Sequence, residues 1–226
     1  MAAAVPVIAI DGPSGSGKGT VSRRVAAALG WHLLDSGALY RLVALAGSLA
    51  GLDPADRAGH ADLARAMVVR FGADAAGEEE IFLDGRPVTA AIRTEAAGEA
   101  ASRVAAWPEV REGLLVRQRM FAEPPGLVAD GRDMGSVVFP TAGLKVFLTA
   151  SAGERARRRY KQLKDKGLSV NLAALSAEIA ERDRRDATRS VAPLVATDDA
   201  IVIDSTGMNI EAVVARVLSL AQTRFG

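Results

Sequence analysis

Cysteine is absent from the 226 residues, which excludes disulfides, thiolate zinc sites and a cysteine nucleophile. An excess of either charge is missing too. Against 28 basic residues stand 27 acidic ones, for a net charge of +1. No bulk field then draws the chain to nucleic acid or to a membrane surface, and any anion must be bound by locally placed arginines. No apolar run approaches the length of a membrane span. There is no internal repeat and no low-complexity linker. The two histidines, His32 and His60, are isolated. His32 follows Trp31 in a strand and is expected to be structural, His60 to lie at the surface, and neither to be catalytic. The N-terminal stretch MAAAVPVIAID lacks a basic segment and a long apolar core, so it reads as a first strand rather than a signal peptide. A monomer in a reducing cytoplasm is the expectation, without nucleic-acid or membrane partners.

What is present is ordinary for a globular protein: 49% hydrophobic and 24% charged residues. The length suits one α/β domain over residues 1–226 carrying a small inserted lobe. Val5 to Ile10 is a nearly continuous apolar run ending at Asp11 and Gly12, the pattern of a parallel strand buried on both faces. Val21, Val25 and Leu29 then recur every four positions, and Gly30 supplies a helix stop. WHLLD reads as a second strand, and Ser36 can cap a helix carrying Tyr40 and Arg41. Between residues 64 and 100 the texture changes. Met67–Phe71 and Ile81–Leu83 are short apolar runs separated by turns, with DGRPV as a tight reversal, so a small antiparallel lobe is predicted. Pro108 opens a helix with Val110, Leu114 and Phe121 on one face, and Trp107 is expected to pack at its start. GLVAD and LKVFLTA are further buried strands, followed by a charged helical region over 153–190. AIVID is the last strand, and Ile210, Val213, Val214, Val217 and Leu218 mark a closing amphipathic helix. Strands alternating with helices predict a mostly parallel sheet covered by helices on both faces.

The strongest local signal is DGPSGSGKGT. Gly12, Gly17 and Lys18 satisfy GxxxxGK between a strand and a helix. Pro13, Ser14, Gly15 and Ser16 fill the loop, whose backbone amides can turn inward onto phosphate oxygens. The helix N-terminus adds its positive end, and Lys18 brings a full charge to the β- and γ-phosphates. Gly19 departs from the strict pattern, which has serine or threonine there. The hydroxyl that would touch magnesium is displaced to Thr20, so the metal is expected to be held largely by water and nucleotide phosphates.

A phosphate loop alone says only that a nucleoside triphosphate binds; the arginines narrow the choice. Arg182, Asp186 and Arg189 stand at i, i+4 and i+7, and Arg155, Arg158 and Arg159 share another helix face. Each such cluster can be a solvated surface. Here they flank KQLKDKGLSVN, a glycine-containing connector able to close over transferring phosphates. DSGALYR and ADGRDMG each follow a strand, at the edge where open α/β sheets bind ligands. Asp130 there is either a ligand-facing carboxylate or a metal-ordering acid behind the loop.

DGPSGSGKGT, WHLLDSGALYR, IRTEAAGEAASRVAA, VADGRDMGSVVFP and ERDRRDATRSVAPL together resemble the bacterial cytidylate kinases, within the nucleoside monophosphate kinases. The likeness runs from residue 5 to about 220, and GKGT is itself a feature of that wider group. It implies a P-loop kinase fold with a lid and its flanking arginine-bearing helices over 153–190 and an enlarged monophosphate-binding insert. It implies transfer of the ATP γ-phosphoryl group to CMP or dCMP with Mg2+, giving CDP or dCDP and ADP. It further implies that Ser102, Arg111 and Asp133 read the cytosine and that Arg182 and Asp186 hold the ribose. Ser36, Tyr40, Arg41, Arg132 and Arg189 would surround the acceptor phosphate, Arg158 would belong to the lid, and Lys18, Arg132, Arg158 and Arg189 would carry the charge of transfer. Two other readings stay open from the residues: a kinase of another small acceptor such as UMP, AMP or shikimate, and an ATP-gated binding module with no acceptor.

Overall fold

A computed structural model describes residues 5–73, 79–165, 167, 169–189 and 191–226. Parts of the expected insert (74–78), connector (166 and 168), lid (190) and first strand's approach (1–4) lie outside the described residues. The chain forms two compact units, residues 1–35 with 119–226 and residues 36–118.

In the first unit, β1 (Val7–Asp11) is buried at all five positions, as is β6 (Leu127–Gly131). Unbroken apolar runs of this kind suit the middle of a parallel sheet, where neither face meets water. With β2 (His32–Asp35), β7 (Leu144–Thr149) and β8 (Ile201–Asp204) they form a five-stranded parallel sheet in the order β2-β6-β1-β7-β8. Helix α1 (Lys18–Leu29) ends as expected at Gly30, left-handed at φ 65°, whose N–H bonds back to Ala26 and Ala27. Val21 and Val25 of α1 and Val213 and Val217 of the closing helix α9 (Ile210–Phe225) share one core with Ile8, Ile10, Val146 and Leu148. Asn209 caps α9 through Ala212 N–H at 2.8 Å. The charged region resolves into two helices, α7 (Ala152–Asp165) and α8 (Leu172–Ala187), packed on each other. His32 lies on an edge strand, and its Nε2 donates to the Pro124 carbonyl at 2.9 Å.

The second unit holds α2 (Ser36–Leu49), α3 (Arg57–Ala66), a three-stranded antiparallel sheet of β3 (Val69–Ala73), β4 (Glu79–Leu83) and β5 (Arg86–Pro87), then α4 (Thr89–Ile92), α5 (Glu95–Val104) and α6 (Pro108–Arg119). The tight reversal is there: Asp84 and Gly85 both have positive φ, 48° and 79°, as a two-residue hairpin loop requires. Pro108 is the first residue of its helix. Ser36 is the first helical residue of α2 rather than its cap.

His60 is not at the surface. It is buried, its Nδ1 donates to the Asp56 carbonyl at 2.6 Å, and its ring meets that of Trp107 edge-on at 5.3 Å. The space it fills exists because α2 carries Gly47 at that level. A β-carbon on Gly47 would come within 2.2 Å of the imidazole.

Candidate active site

The carboxyl ends of three adjacent strands carry acids. Asp35 of β2 is in register with Asp130 of β6, and Asp11 closes β1. The glycine loop leaves from Asp11. Gly12 has φ 152°, and a β-carbon on it would lie 2.0 Å from the Leu148 carbonyl oxygen. Only glycine lets the chain pass so close to β7. Gly17, left-handed at φ 91°, starts α1, and its carbonyl accepts from the Thr20 and Val21 amides at 3.1 Å each. Lys18 folds back over the loop, donating from Nζ to the Pro13 carbonyl at 3.2 Å. Burial pushes its ammonium down to about 7, with Arg132 pushing the same way and Asp130 opposing. Burial likewise pushes Asp130 up to about 6, against the pull of Lys18.

The glycine after the lysine has a steric reason. A β-carbon on Gly19 would sit 3.2 Å from Oδ2 of Asp130, so a serine or threonine there would crowd a buried carboxylate. The other oxygen of that carboxylate, Oδ1, is buried with no hydrogen-bond partner among the described residues. Thr20 is exposed.

Beside the loop, three of the expected arginines converge. Asp186, buried near the end of α8, pairs with Arg132 at 2.9 Å and with Arg189. Burial alone would raise the Asp186 carboxyl, but Arg132 and Arg189, with Arg182 adding, hold it below its usual range. Arg182 and Arg132 are also close enough to depress Lys18. Arg189 lies beyond α8, which ends at Ala187, so it reaches Asp186 from the loop rather than along one helix face. Asp133 is buried two residues after Gly131.

The arginines of α7 do something the sequence did not specify. Arg158 donates to the Ser16 carbonyl at 3.1 Å and to Ser205, at 3.1 Å to its hydroxyl and 2.6 Å to its carbonyl. Arg155 donates to the Ser14 carbonyl at 3.1 Å and forks onto Asp183 at 2.9 and 2.6 Å. The Ser14 and Ser16 carbonyls of the loop thereby have side-chain donors. Arg155 and Ser205 thus both donate to carbonyls of the glycine loop, those of Ser14 and Ser16. The helical spacing of Arg155 and Arg158 hinted at the first, and nothing in the sequence marked the second.

In the second unit, Tyr40 and Arg111 are buried, with the guanidinium 5.6 Å from the ring centroid. Arg111 donates to the Ala105 carbonyl at 3.1 Å. Arg41 donates to the carbonyls of Ile92 (2.6 Å) and Thr94 (3.0 Å), tying α2 to the α4–α5 junction. Ser36 and Ser102 are buried, and Ser102 Oγ has no hydrogen-bond partner among the described residues.

Known proteins resemble this chain over nearly its whole length. A family model described as cytidylate kinase matches residues 8–223. Proteins named cytidylate kinase from Marinomonas sp. and Pseudomonas aeruginosa are 58% and 59% identical over 214 and 219 residues, covering 95% and 96% of this chain and 94% and 96% of theirs. One from Aeromonas salmonicida is 54% identical over 221 residues, 98% of this chain and 96% of its own. Among solved structures, an uncharacterized protein from Eubacterium ventriosum shares the fold with a TM-score of 0.52 at 12% identity, over 97% of this chain and 99% of that one. With a family model that matches almost end to end and named relatives at 54–59% identity over nearly the whole length, the chain belongs to the cytidylate kinase family.

Proposed function

We propose that this chain transfers the γ-phosphoryl group of ATP to CMP or dCMP, giving ADP and CDP or dCDP. The observation that carries it is the cluster of Arg132, Arg182 and Arg189 around a single carboxylate, Asp186, within electrostatic reach of Lys18. Guanidinium groups gathered at one place are what a phosphate monoester beside a triphosphate needs. A binding module without an acceptor has no use for a second such cluster.

The loop amides and Lys18 hold the donor phosphates, and Arg132 and Arg189 hold the acceptor phosphate with Ser36, Tyr40 and Arg41. Arg182 and Asp186 hold the sugar. Ser102, Arg111 and Asp133 read the base. A carboxylate at Asp133 accepts from the 4-amino group of cytosine, whereas uracil presents a carbonyl there and is repelled. A phosphate monoester has a second pKa near ~6, so the nucleophile is already largely dianionic at neutral pH and no general base is needed. The protein's work is to bring two polyanions into line and to spread the charge of the moving group. Arg158 keeps the loop in its cradle shape from outside.

Among the described residues no group of three or more His, Cys, Asp or Glu could chelate a metal. The unpartnered, buried Asp130 Oδ1 nevertheless fits a magnesium ion held through water, with the Thr20 hydroxyl as the other protein donor. Mg2+ bound with ATP would supply charge neutralisation between the β- and γ-phosphates.

The test is phosphoryl acceptance measured across CMP, dCMP, UMP, AMP and shikimate. CMP or dCMP should be strongly preferred, and a preference for UMP overturns the assignment. ATP turnover that ignores every acceptor would instead favour the gated module. Asp133→Ala should damage CMP use and erase discrimination against UMP, by roughly the 10–100-fold that an unpaired polar contact commands, while the KM for ATP stays in place.

A further inference from the structure

Ser205 directly follows β8 and is buried, and the transfer reaction as derived does not use it. Its backbone is anchored on both sides. The Ser205 amide donates to the Thr149 carbonyl at 2.8 Å, and the Ser205 carbonyl accepts the Met208 amide at 3.0 Å. From that anchor Ser205 grips Arg158 twice: Nη1 donates to its hydroxyl at 3.1 Å and Nη2 to its carbonyl at 2.6 Å. The remaining corner of the guanidinium, Nε, donates to Glu154 at 3.0 Å. Arginine carries its five N–H groups in one plane, two of them on Nη1. One hydrogen of Nη1 is taken by the Ser205 hydroxyl, and the other is left for the Ser16 carbonyl at 3.1 Å. The hydroxyl itself donates toward the carbonyls of Thr149 (2.9 Å) and Ser16 (3.3 Å). The same guanidinium lies along the glycine loop, where a β-carbon on Gly17 would be 3.8 Å from Nη1.

We propose that Ser205 is a positioning residue for the donor nucleotide, holding the Arg158 guanidinium where it fixes the Ser16–Gly17 peptide of the glycine loop. This rests on the reading of that loop as the ATP site and deepens it. A trans peptide, as this one is, sets its C=O and N–H in opposite directions. The Ser16 carbonyl turned onto Arg158 and Ser205 therefore turns the Gly17 N–H away from them, the setting an amide needs to meet a phosphate on the loop's other side. On the same residue, the Ser16 hydroxyl is buried with no hydrogen-bond partner among the described residues, an orphan that a ligand oxygen would satisfy. Without the Ser205 hydroxyl, Nη1 loses one of its two partners. The planar group can then pivot on its remaining bonds, and the Ser16–Gly17 peptide loses its fixed setting.

The experiment measures the dissociation constant for ATP by calorimetric titration of the full chain without acceptor, together with the KM for CMP and the melting temperature without nucleotide. Ser205→Ala should weaken ATP binding about five- to tenfold, the effect of one lost bond to a charged donor. The KM for CMP should stay within about twofold of the parent. In the Arg158→Met background, where the guanidinium is already gone, Ser205→Ala should weaken ATP binding by less than about twofold more. If Ser205→Ala lowers only the melting temperature, or weakens ATP and CMP by the same factor, the residue is structural and the inference is overturned. It is overturned too if the two substitutions multiply in full, because Ser205 then does not act through Arg158. If the parent itself binds no ATP, the donor-site reading of the loop fails, whatever Ser205 does. Should Ser205→Ala not fold, Ser205→Cys keeps the shape with a poor acceptor; it should show the same loss, and ATP binding equal to the parent's would overturn the inference.

Discussion

Arg155 offers the sharpest physical test of how the loop is held. Its side chain is 6% exposed, and it forks onto Asp183, which is 29% exposed. It also donates from Nε to the Ala150 carbonyl (3.0 Å) and from Nη1 to the Ser14 carbonyl (3.1 Å). Truncation to methionine keeps the stem and removes all of these. Breaking a buried pair by deleting one partner costs about 3–5 kcal/mol. Water can reach the partly exposed Asp183, so the low end applies, about 3 kcal/mol. The buried Ala150 carbonyl adds about 1 kcal/mol for a lost donor, while the less buried Ser14 carbonyl can be rehydrated. A loss of about 3–4 kcal/mol in urea or thermal unfolding is expected, a drop in melting temperature of roughly 6–16 °C for a chain of this size. Because the Ser14 carbonyl is in the phosphate loop, the KM for ATP should rise in parallel. Arg155→Met/Asp183→Leu should recover part of the stability, since an apolar pair carries no stranded charge, but none of the ATP binding. The reasoning is refuted if Arg155→Met loses less than about 1 kcal/mol, or if a double-mutant cycle with Asp183 gives coupling under about 0.5 kcal/mol.

Asp11 also predicts a pH dependence. Its folded pKa is raised from 3.8 to about 6 by burial, so the folded state holds this proton more tightly than the unfolded one. The stability it contributes is therefore fully present below about pH 4 and lost as pH rises through 6, on the order of 3 kcal/mol. Urea unfolding of the parent and of Asp11→Asn between pH 4 and 7 should show a more negative slope in the parent, and parallel slopes would rule the shift out. In the other unit, Gly47→Ala should destabilise by about 1–3 kcal/mol, because its methyl group would fall 2.2 Å from the His60 ring. Chemical denaturation measures that cost, and adding His60→Ala should relieve it.

What the sequence determined by itself was everything written in local spacing. GxxxxGK between a buried strand and a helix dictated the phosphate loop, because the glycines permit backbone dihedrals that other residues resist. Unbroken apolar runs dictated the parallel sheet, and DGRPV the hairpin of the separate antiparallel one. Tertiary structure alone decided which distant groups meet at the loop and beside it. Arg158 reaches Ser16 across 142 positions, Asp11 reaches Met134 across 123, and Arg132 meets Asp186 across 54. His60 is buried for the same reason: a small helical segment around one histidine looks like surface until Gly47 and Trp107 close over it. Periodicity records which face of an element is buried, whereas a hydrogen bond between crossovers depends on strand order, and strand order leaves no repeat in the chain.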